Sequence, residues 1–185
     1  ESWIKKSKGF YFEDIKAMQE LIPDGSSILE IGCGNGHLLA ALNPLSGVGI
    51  DISSEMILEA QKKYENLNFI IADIEDTNCI KDIEQTFDFI IISDTIGYLN
   101  DIENTFEKLH KVCNADTRII VAYYSPFWEP ILNIAARFKF KMPELPKALL
   151  NETDISSLLD SAGYETVKYQ KKIIFPFTFF GIGRI

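Results

Sequence analysis

The chain has 185 residues, of which 46% are hydrophobic, and its formal net charge is −9. This length and composition indicate one folded domain with a sizeable core and exclude a disordered chain. The absence of a strongly basic face argues against DNA or RNA as the partner, and no apolar run reaches the ~18 residues that span a bilayer. The three cysteines are far apart and lack metal-ligand spacing, so we expect no metal site and a reduced, cytoplasmic protein.

The two ends of the chain lead to one further expectation. The first residue is Glu1 and not methionine, and the last is Ile185, so we interpret residues 1–185 as one domain within a longer polypeptide. The acidic excess lies in the first hundred residues, whereas basic side chains cluster late. That cluster fits either solvated faces or a local site for an anionic substrate or a membrane surface. The late basic residues are Arg137, Lys139, Lys141, Lys147, Lys168, Lys171 and Lys172.

The first half of the chain alternates between helical and extended patterns. Apolar side chains at helical spacing predict a helix over residues 10–22, which a turn-forming Pro-Asp-Gly-Ser stretch ends. Strands are predicted at residues 27–31 and 47–51, separated by a glycine-rich turn and a short helix. Ser53 is the expected N-cap of the next helix. The predicted apolar face of that helix consists of Met56, Ile57, Ala60 and Tyr64.

The second half continues this alternation. Strands are predicted at residues 69–72 and 87–92, the second of which is a continuous apolar run. Asp101 opens a helix, a fifth strand is predicted at residues 117–124, and a sixth at residues 164–173. The inward face predicted for the helix after Asp101 consists of Ile102, Phe106, Leu109 and Cys113.

Strands that alternate with helices at this spacing predict an α/β fold, namely a doubly wound, Rossmann-like, mostly parallel sheet with helices on both faces. Three successive strands end in the carboxylates Glu30, Asp51 and Asp73, which would meet at one edge of the sheet. A turn with glycine at every second position follows the first strand, and it would point free N–H groups at a ligand. Its glycines are Gly32, Gly34 and Gly36.

Two cofactor classes compete for this edge. A dinucleotide enzyme would have an acidic residue ~20 positions after the first glycine, a condition that Asp51 satisfies. It would also have the spacing G-x-G-x-x-G, which this turn lacks, and Glu30 would repel a pyrophosphate. S-adenosylmethionine carries a sulfonium and an ammonium and no phosphate, so a carboxylate before the turn would attract it.

With these features the chain resembles the class I S-adenosylmethionine-dependent methyltransferases over residues 10–172. Four stretches resemble the first four motifs of that family, and a fifth resembles the late helix before its sixth strand. They are residues 29–36, 49–60, 72–74, 87–94 and 151–164. The chain departs from the family pattern at its end, where Pro176 lies in the last aromatic stretch. We therefore expect the family's final strand to be missing, disordered or supplied by residues beyond Ile185.

The resemblance implies a role for each residue of the site. The glycine turn with Cys33 would pass under the methionine part of the cofactor, with Glu30 reaching its ammonium group. Asp51 would accept both ribose hydroxyls, and Asp73 would accept the exocyclic amine of adenine. Ile52 and Met56 would sandwich the adenine ring, with Ile74 packing nearby. Tyr11 would cover the methionine end, and Ser93 and Asp94 would flank the sulfonium.

Two residues keep a second interpretation. The helical spacing of Tyr11 fits a core position as well as a cofactor contact. His37 heads the first helix after the turn, and we interpret it as a capping or packing residue, with substrate contact as the alternative.

No motif identifies the acceptor. We expect it between the end of the fourth strand and residues 123–147, a segment that is either a buried helix over the sheet or a wall of the acceptor site. Asp94, Tyr98 and Tyr124 are the candidates to orient or deprotonate a hydroxyl, although Tyr98 also fits packing under the next helix. The segment resembles methyltransferase domains found beside glycosyltransferases in bacterial surface-polysaccharide enzymes.

The predicted function is methyl transfer from S-adenosylmethionine, with S-adenosylhomocysteine as product, to a small-molecule, lipid or glycan acceptor. Fusion to or association with a glycosyltransferase is expected, and peripheral membrane contact stays open. The alternatives are a nicotinamide-dependent Rossmann oxidoreductase and a non-catalytic interaction domain that retains the fold. The intact set of Glu30, Asp51 and Asp73 argues against the non-catalytic alternative.

Overall fold

The computed structural model describes residues 8–123 and 150–171, with side chains from residue 14 onward. Helices and strands alternate along these residues. In chain order they are α1 (Lys8–Gln19), β1 (Ser27–Ile31), α2 (His37–Ala41), β2 (Ser46–Asp51), α3 (Ser54–Lys63), β3 (Asn68–Ile71), β4 (Phe87–Ser93), α4 (Ile102–Leu109), β5 (Cys113–Ala122) and α5 (Glu152–Ser161). Short 3-10 turns, Ile96–Tyr98 and His110–Val112, flank α4.

The described strands form one sheet in the order β3-β2-β1-β4-β5, in which every neighbouring pair is parallel. Ile31 of β1 pairs with Ile50 of β2 and with Ile92 of β4, so the residues that follow these three strands are neighbours. The strand order reverses between β1 and β4, and ligands of open α/β sheets bind outside such a switch point. The predicted α/β fold with a parallel sheet is confirmed.

The side chains of β1 alternate between two hydrophobic cores, one on each face of the sheet. Leu29 and Ile31 belong to the core that includes α4 and α5, whereas Ile28 belongs to the core that includes α1, α2 and α3. A strand covered on both faces has to be apolar at nearly every position, which explains the apolar run of residues 89–92 in β4 and makes the buried Glu30 the exception in β1. The prediction of helices on both faces is confirmed.

Local hydrogen bonds set where several helices begin. Ser53 caps α3, since its Oγ accepts from the N–H of Met56 at 3.4 Å, and Asp101 caps α4 by accepting from Asn104 at 3.1 Å. The late helix α5 begins with a reciprocal capping box. None of the helices in the two described ranges is both long and apolar enough to cross a bilayer.

The predicted ends of two elements, α1 and β3, lie one to three residues too far along the chain. α1 ends at Gln19 and not at residue 22, because Pro23 disfavours helical backbone in the residue before it. β3 ends at Ile71 and not at residue 72. The N–H of Ala72 still donates to the carbonyl of Asp51 at 3.0 Å, and the chain turns after it.

The fifth strand runs from Cys113 to Ala122, whereas residues 117–124 were the prediction. Its pairing with β4 shifts register, because Phe87 pairs with Cys113 but Phe89 pairs with Arg118. The extra residues of β5 bulge from the ladder at a polar stretch that resembles a turn in sequence. Cys113, predicted on the inward face of the preceding helix, is therefore the first residue of the strand.

The predicted sixth strand is wrong over its described part. Residues 164–171 have no regular secondary structure, and they pair with no strand within the two described ranges. Tyr164, the first residue of this stretch, packs against the core, whereas Val167 is 85% exposed. Residues 172–185, where the family's final strand was expected to be missing or disordered, lie outside the described residues.

Candidate functional site

The turn after β1 uses backbone that glycine adopts most easily. Gly32, Gly34 and Gly36 have φ angles of 74°, 51° and 73°. The N–H of Gly32 donates to the carbonyl of Ile50 at 2.7 Å, which ties the turn to β2. A Cβ at Gly32 would lie 2.0 Å from Oγ1 of Thr95, so the turn is wedged between the ends of β2 and β4.

Asp51, at the end of β2, is held in place by two backbone donors. Its Oδ2 accepts from the N–H of Gly34 at 2.7 Å, and its Oδ1 accepts from the N–H of Ser53 at 2.8 Å. The space beside Gly34 is open, since a Cβ built there meets no described atom within 4 Å. The structure therefore places an oriented carboxylate next to open space at the carboxyl edge of the sheet.

Exposed apolar side chains lie next to this carboxylate in the chain. Ile52 is 69% exposed and Met56 is 43% exposed, although Met56 was predicted on the inward face of its helix. That prediction is wrong, because Ile57 and not Met56 points into the core. After β3, Ile74 is buried while Asp73 is exposed.

Glu30 is only 3% exposed, and it lies on the same face of β1 as helix α2. Its Oε2 accepts from the N–H of Leu39 at 3.0 Å. Burial raises the pKa of Glu30 to about 8; the hydrogen bond from Leu39 opposes this rise, and the negative charge of Asp51 adds to it. Glu30 thus anchors the helix after the turn, and its predicted contact with a cofactor ammonium group stays a prediction.

Replacing Glu30 with glutamine should change how stability depends on pH. The native carboxyl keeps its proton up to a pH near 8, whereas the unfolded one ionises near pH 4.5. Between these pH values the native state holds the extra proton, so stability falls with rising pH by up to ~1.4 kcal/mol per unit. Glutamine cannot ionise, and Glu30→Gln should gain stability relative to the parent as pH rises.

Thermal melts of both proteins without ligand, at intervals between about pH 5 and pH 8, measure this difference. A constant difference in melting temperature over that range would show that Glu30 ionises normally in the native protein.

Two further residues of the turn have structural contacts. Cys33 is buried against β2, where a Cβ at Gly49 would lie 2.7 Å from its sulfur. Burial, together with the charges of Glu30 and Asp51, raises the pKa of the Cys33 thiol well above its usual range. His37 begins α2 and its Nδ1 lies 3.4 Å from the hydroxyl of Tyr64, which agrees with the packing interpretation.

The end of β4 lies on the other side of the glycine turn. Ser93 ends the strand, and its carbonyl accepts from Oγ1 of Thr95 at 3.0 Å. Asp94 has a φ of 55°, which is uncommon for a residue with a side chain, and its N–H donates to the carbonyl of Ala122 at 2.9 Å. Tyr98 is exposed in the 3-10 turn that follows. The structure thus brings Ser93 and Asp94 to the predicted edge.

Some predicted site residues lie outside what the structure describes. The backbone of Tyr11 belongs to α1, but its side chain lies outside the described residues. Residues 124–147, which include Tyr124 and most of the predicted acceptor wall, lie entirely outside them.

The structure adds contacts that sequence reasoning missed. Thr95 fills the space under Gly32, and Lys108 of α4 contacts the loop that carries Asp73. The positive φ required of Gly32 was readable from the pattern of glycines. The contact of Gly32 with Thr95 could not be read from the sequence, because Thr95 follows β4 and lies far along the chain from Gly32.

Comparisons with known proteins agree with this geometry. The profile of a family described as a methyltransferase domain matches residues 22–171. Malonyl-[acyl-carrier protein] O-methyltransferase of Priestia megaterium is 37% identical over 91 residues, which are 46% of this chain and 32% of that protein. The ubiquinone/menaquinone C-methyltransferase UbiE of Escherichia coli is 22% identical, over 78% of this chain and 68% of that protein. The matches to the first four curated relatives span 18% to 50% of their lengths.

A solved structure supports the fold. An S-adenosylmethionine-dependent methyltransferase from Thermotoga maritima superposes with a TM-score of 0.71, over 89% of this chain and 75% of that one, at 19% identity. The family match covers the glycine turn, the three carboxylates and the end of β4. The chain therefore belongs to the methyltransferase-domain family of class I S-adenosylmethionine-dependent enzymes, whose cofactor is S-adenosylmethionine.

Proposed function

We propose that this domain binds S-adenosylmethionine along the carboxyl ends of β1, β2 and β3 and transfers its methyl group to a small-molecule, lipid or glycan acceptor. The observation that carries the proposal is the carboxylate of Asp51, oriented by Gly34 and Ser53 beside open space. The family match supports this cofactor over the nicotinamide alternative, and it supports an enzyme over an interaction domain.

Asp51 fits a ribose. Each carboxylate oxygen has lone-pair positions for about two donors, and each accepts one backbone N–H, from Gly34 or Ser53. One position per oxygen is left for a ribose hydroxyl, and the backbone donors limit rotation of the carboxylate. Pre-orientation lowers the entropy lost on binding, so we assign the ribose to Asp51.

The neighbouring side chains fit an adenine ring. Ile52 and Met56 expose apolar surface that a ring would cover, and the carboxylate of Asp73 can accept from an exocyclic amine. Ile74 lies in the loop after β3, next to Asp73, and its buried side chain anchors that loop to the core.

The glycine turn fits the methionine part of the cofactor. The absence of a Cβ at Gly34 leaves open space in which a ligand can approach the backbone closely, whereas Thr95 occupies this space at Gly32 and Phe69 occupies it at Gly36. Cys33 lies within the turn and Ser93 ends β4 beside it, while Tyr11 is the proposed cover of this end. The negative charge of Asp51 lies beside the turn, which favours a cationic ligand and disfavours a phosphate.

Methyl transfer requires positioning more than acid–base chemistry. The bound S-adenosylmethionine supplies an electrophilic methyl group on a sulfonium. The domain has to hold the acceptor atom in line with that methyl and, for a hydroxyl, direct its proton to a base. Asp94 and Tyr98 follow β4 next to the turn, and with Tyr124 they are the proposed orienting residues.

Tyr98→Phe and Tyr124→Phe should separate binding from transfer. If either hydroxyl takes part in proton transfer, the rate of methyl transfer should fall ~10²-fold or more in that variant. Affinity for S-adenosylhomocysteine should stay unchanged, which serves as the internal control. Equal transfer rates in the parent and in both variants would remove these tyrosines from the mechanism.

The relatives do not select the acceptor. By their names, one acts on oxygen and another on carbon. A glycan acceptor and an associated glycosyltransferase follow from the resemblance of residues 123–147. We also propose a single methyltransferase domain with a cytoplasmic location, which the three free cysteines, Cys33, Cys79 and Cys113, support.

Calorimetric titration tests the function at its first step. The protein should bind S-adenosylmethionine and S-adenosylhomocysteine saturably at one site and show no heat with NAD at the same concentrations. Binding of NAD without binding of S-adenosylhomocysteine would overturn the proposal.

A further inference from the structure

The loop after β3 is held by side chains that are distant in the sequence. This adenine loop, residues 72–76, carries Asp73 and Ile74. Its backbone is joined to the sheet at Ala72, whose N–H donates to the carbonyl of Asp51. Beyond that point, two charged side chains connect the loop to the start and the end of α4.

Lys108 makes the first connection. Its ammonium group donates to the carbonyl oxygens of Ile74 at 2.8 Å, Glu75 at 2.7 Å and Asp76 at 3.5 Å. An ammonium group has three donors, and here all three meet consecutive carbonyls of one loop. Lys108 therefore fixes the direction of three peptide planes in the adenine loop.

Glu75 makes the second connection in the opposite sense, from the loop to the helix. Its Oε1 accepts from the N–H groups of Asn100 at 2.8 Å and Asp101 at 2.6 Å, and its Oε2 accepts from the side-chain amide of Asn100 at 2.8 Å. Burial alone would raise the pKa of Glu75, but these hydrogen bonds and the charge of Lys108 hold it below its usual value. The carboxylate is thus charged at neutral pH, and both of its oxygens accept hydrogen bonds from residues at the start of α4.

One more hydrogen bond transmits this arrangement to the adenine site. The N–H of Glu75 donates to Oδ1 of Asp73 at 2.9 Å. Glu75 therefore orients Asp73 through its N–H, while Lys108 holds its carbonyl and Asn100 holds its side chain. If the loop loses these contacts, the carboxylate of Asp73 loses its direction.

We propose that Lys108 and Glu75 are positioning residues that set the recognition of adenine through Asp73, without touching the cofactor themselves. The inference rests on the proposed function, in which Asp73 accepts a hydrogen bond from the exocyclic amine of adenine. It predicts that disrupting the contacts lowers selectivity for that amine and leaves affinity for the rest of the cofactor nearly unchanged.

The chain offers a matched control. Lys111, one turn further along, also donates to loop carbonyls, those of Ile80 and Lys81. These carbonyls lie after the adenine loop, so a loss of general stability should affect Lys108→Met and Lys111→Met alike. Only Lys108→Met should change how the amine is recognised.

The measurement is the affinity for S-adenosylhomocysteine and for its analogue with hydrogen in place of the exocyclic amine. The parent should prefer S-adenosylhomocysteine by ~10-fold, as expected for a hydrogen bond to a charged acceptor. In Lys108→Met this preference should fall to less than about 2-fold, with affinity for the analogue within about 3-fold of the parent. Lys108→Arg should restore part of the preference, and Lys111→Met should keep all of it.

Asp73→Ala separates the two ideas. A parent that binds neither ligand overturns the proposed function and the inference with it. A preference that survives in Asp73→Ala shows that Asp73 does not recognise the amine; it overturns the inference and the adenine assignment, but not the binding of the cofactor. A preference that is lost in Asp73→Ala but kept in Lys108→Met overturns the inference alone.

Glu75→Gln provides a second route if Lys108→Met does not fold. It keeps the side-chain shape and one carbonyl oxygen but removes the charge and one acceptor. A preference reduced below that of the parent supports the inference, and an unchanged preference contradicts it.

Discussion

Replacing Asp51 with alanine should weaken binding of both S-adenosylmethionine and S-adenosylhomocysteine by ~30-fold to ~10³-fold. The proposed ribose site would lose two charge-assisted hydrogen bonds, a loss on the order of 2–4 kcal/mol. The N–H groups of Gly34 and Ser53 would also lose their acceptor, which loosens the turn. Calorimetric titration of the parent and the variant with S-adenosylhomocysteine measures the effect.

Two controls show whether the loss is local. Glu59→Ala removes the same charge from the exposed face of α3, and its affinity should stay within about 2-fold of the parent. Asp51→Asn keeps one carbonyl oxygen, so its loss should be intermediate. Parent-like binding by Asp51→Ala would show that the ribose assignment is wrong.

Gly32 and Gly34, two residues apart in the turn, should respond to alanine in opposite ways. At Gly32 the new Cβ would lie 2.0 Å from Oγ1 and 2.7 Å from Cγ2 of Thr95, with φ at 74°. Strain in the left-handed region costs ~1–2 kcal/mol and overpacking ~1–3 kcal/mol, so Gly32→Ala should lose on the order of 3 kcal/mol of stability. For a domain of this size, the melting temperature should fall by about 10 °C.

Gly34→Ala should keep most of the stability and lose binding. No described atom lies within 4 Å of its Cβ, so only the backbone strain of ~1–2 kcal/mol applies. The added methyl group would occupy the space proposed for the cofactor, which should lower affinity by ~10-fold or more. Thermal melts and calorimetric titrations of both variants give the comparison.

A double variant checks the cause assigned to Gly32. Thr95→Gly removes the atoms that the new Cβ would meet, so Gly32→Ala combined with Thr95→Gly should be more stable than the sum of the single effects predicts. Additive losses would mean that backbone strain, and not the collision with Thr95, limits the turn. A Gly34→Ala variant with parent-like affinity would place the cofactor elsewhere.

The close approach of Gly32 to Thr95 also has a functional consequence. Gly32 belongs to the proposed cofactor site. Thr95 follows the end of β4, next to Asp94, which is proposed to orient the methyl acceptor. The proposed cofactor site and the proposed acceptor site therefore share the contact between Gly32 and Thr95. A change in this contact should alter both cofactor affinity and the alignment of the acceptor.

The sequence by itself determined the order of strands and helices, the glycine turn and the three carboxylates after successive strands. These features depend on local physics. Strands buried on both faces must be apolar throughout, positive φ favours glycine, and Ser53 and Asp101 cap helices with bonds to nearby N–H groups. Each of these signals lies within a few residues of the structure that it specifies.

The same local signals failed where pairing with a distant segment decides the structure. Residues 164–171 were predicted as a strand, but a strand also needs a partner, and in the structure they pair with no strand within the described ranges. The start of β5 was misplaced because its bulge is defined by its register against β4.

Only the tertiary structure decided which groups hold the site in place. Glu30 meets the N–H of Leu39 because β1 and α2 pack face to face, and Thr95 lies under Gly32 because β4 is the neighbour of β1. Lys108 reaches the adenine loop because the fold places α4 beside residues 74–76. Such contacts depend on the relative placement of elements far apart in the chain, which the period of a hydrophobic pattern does not encode.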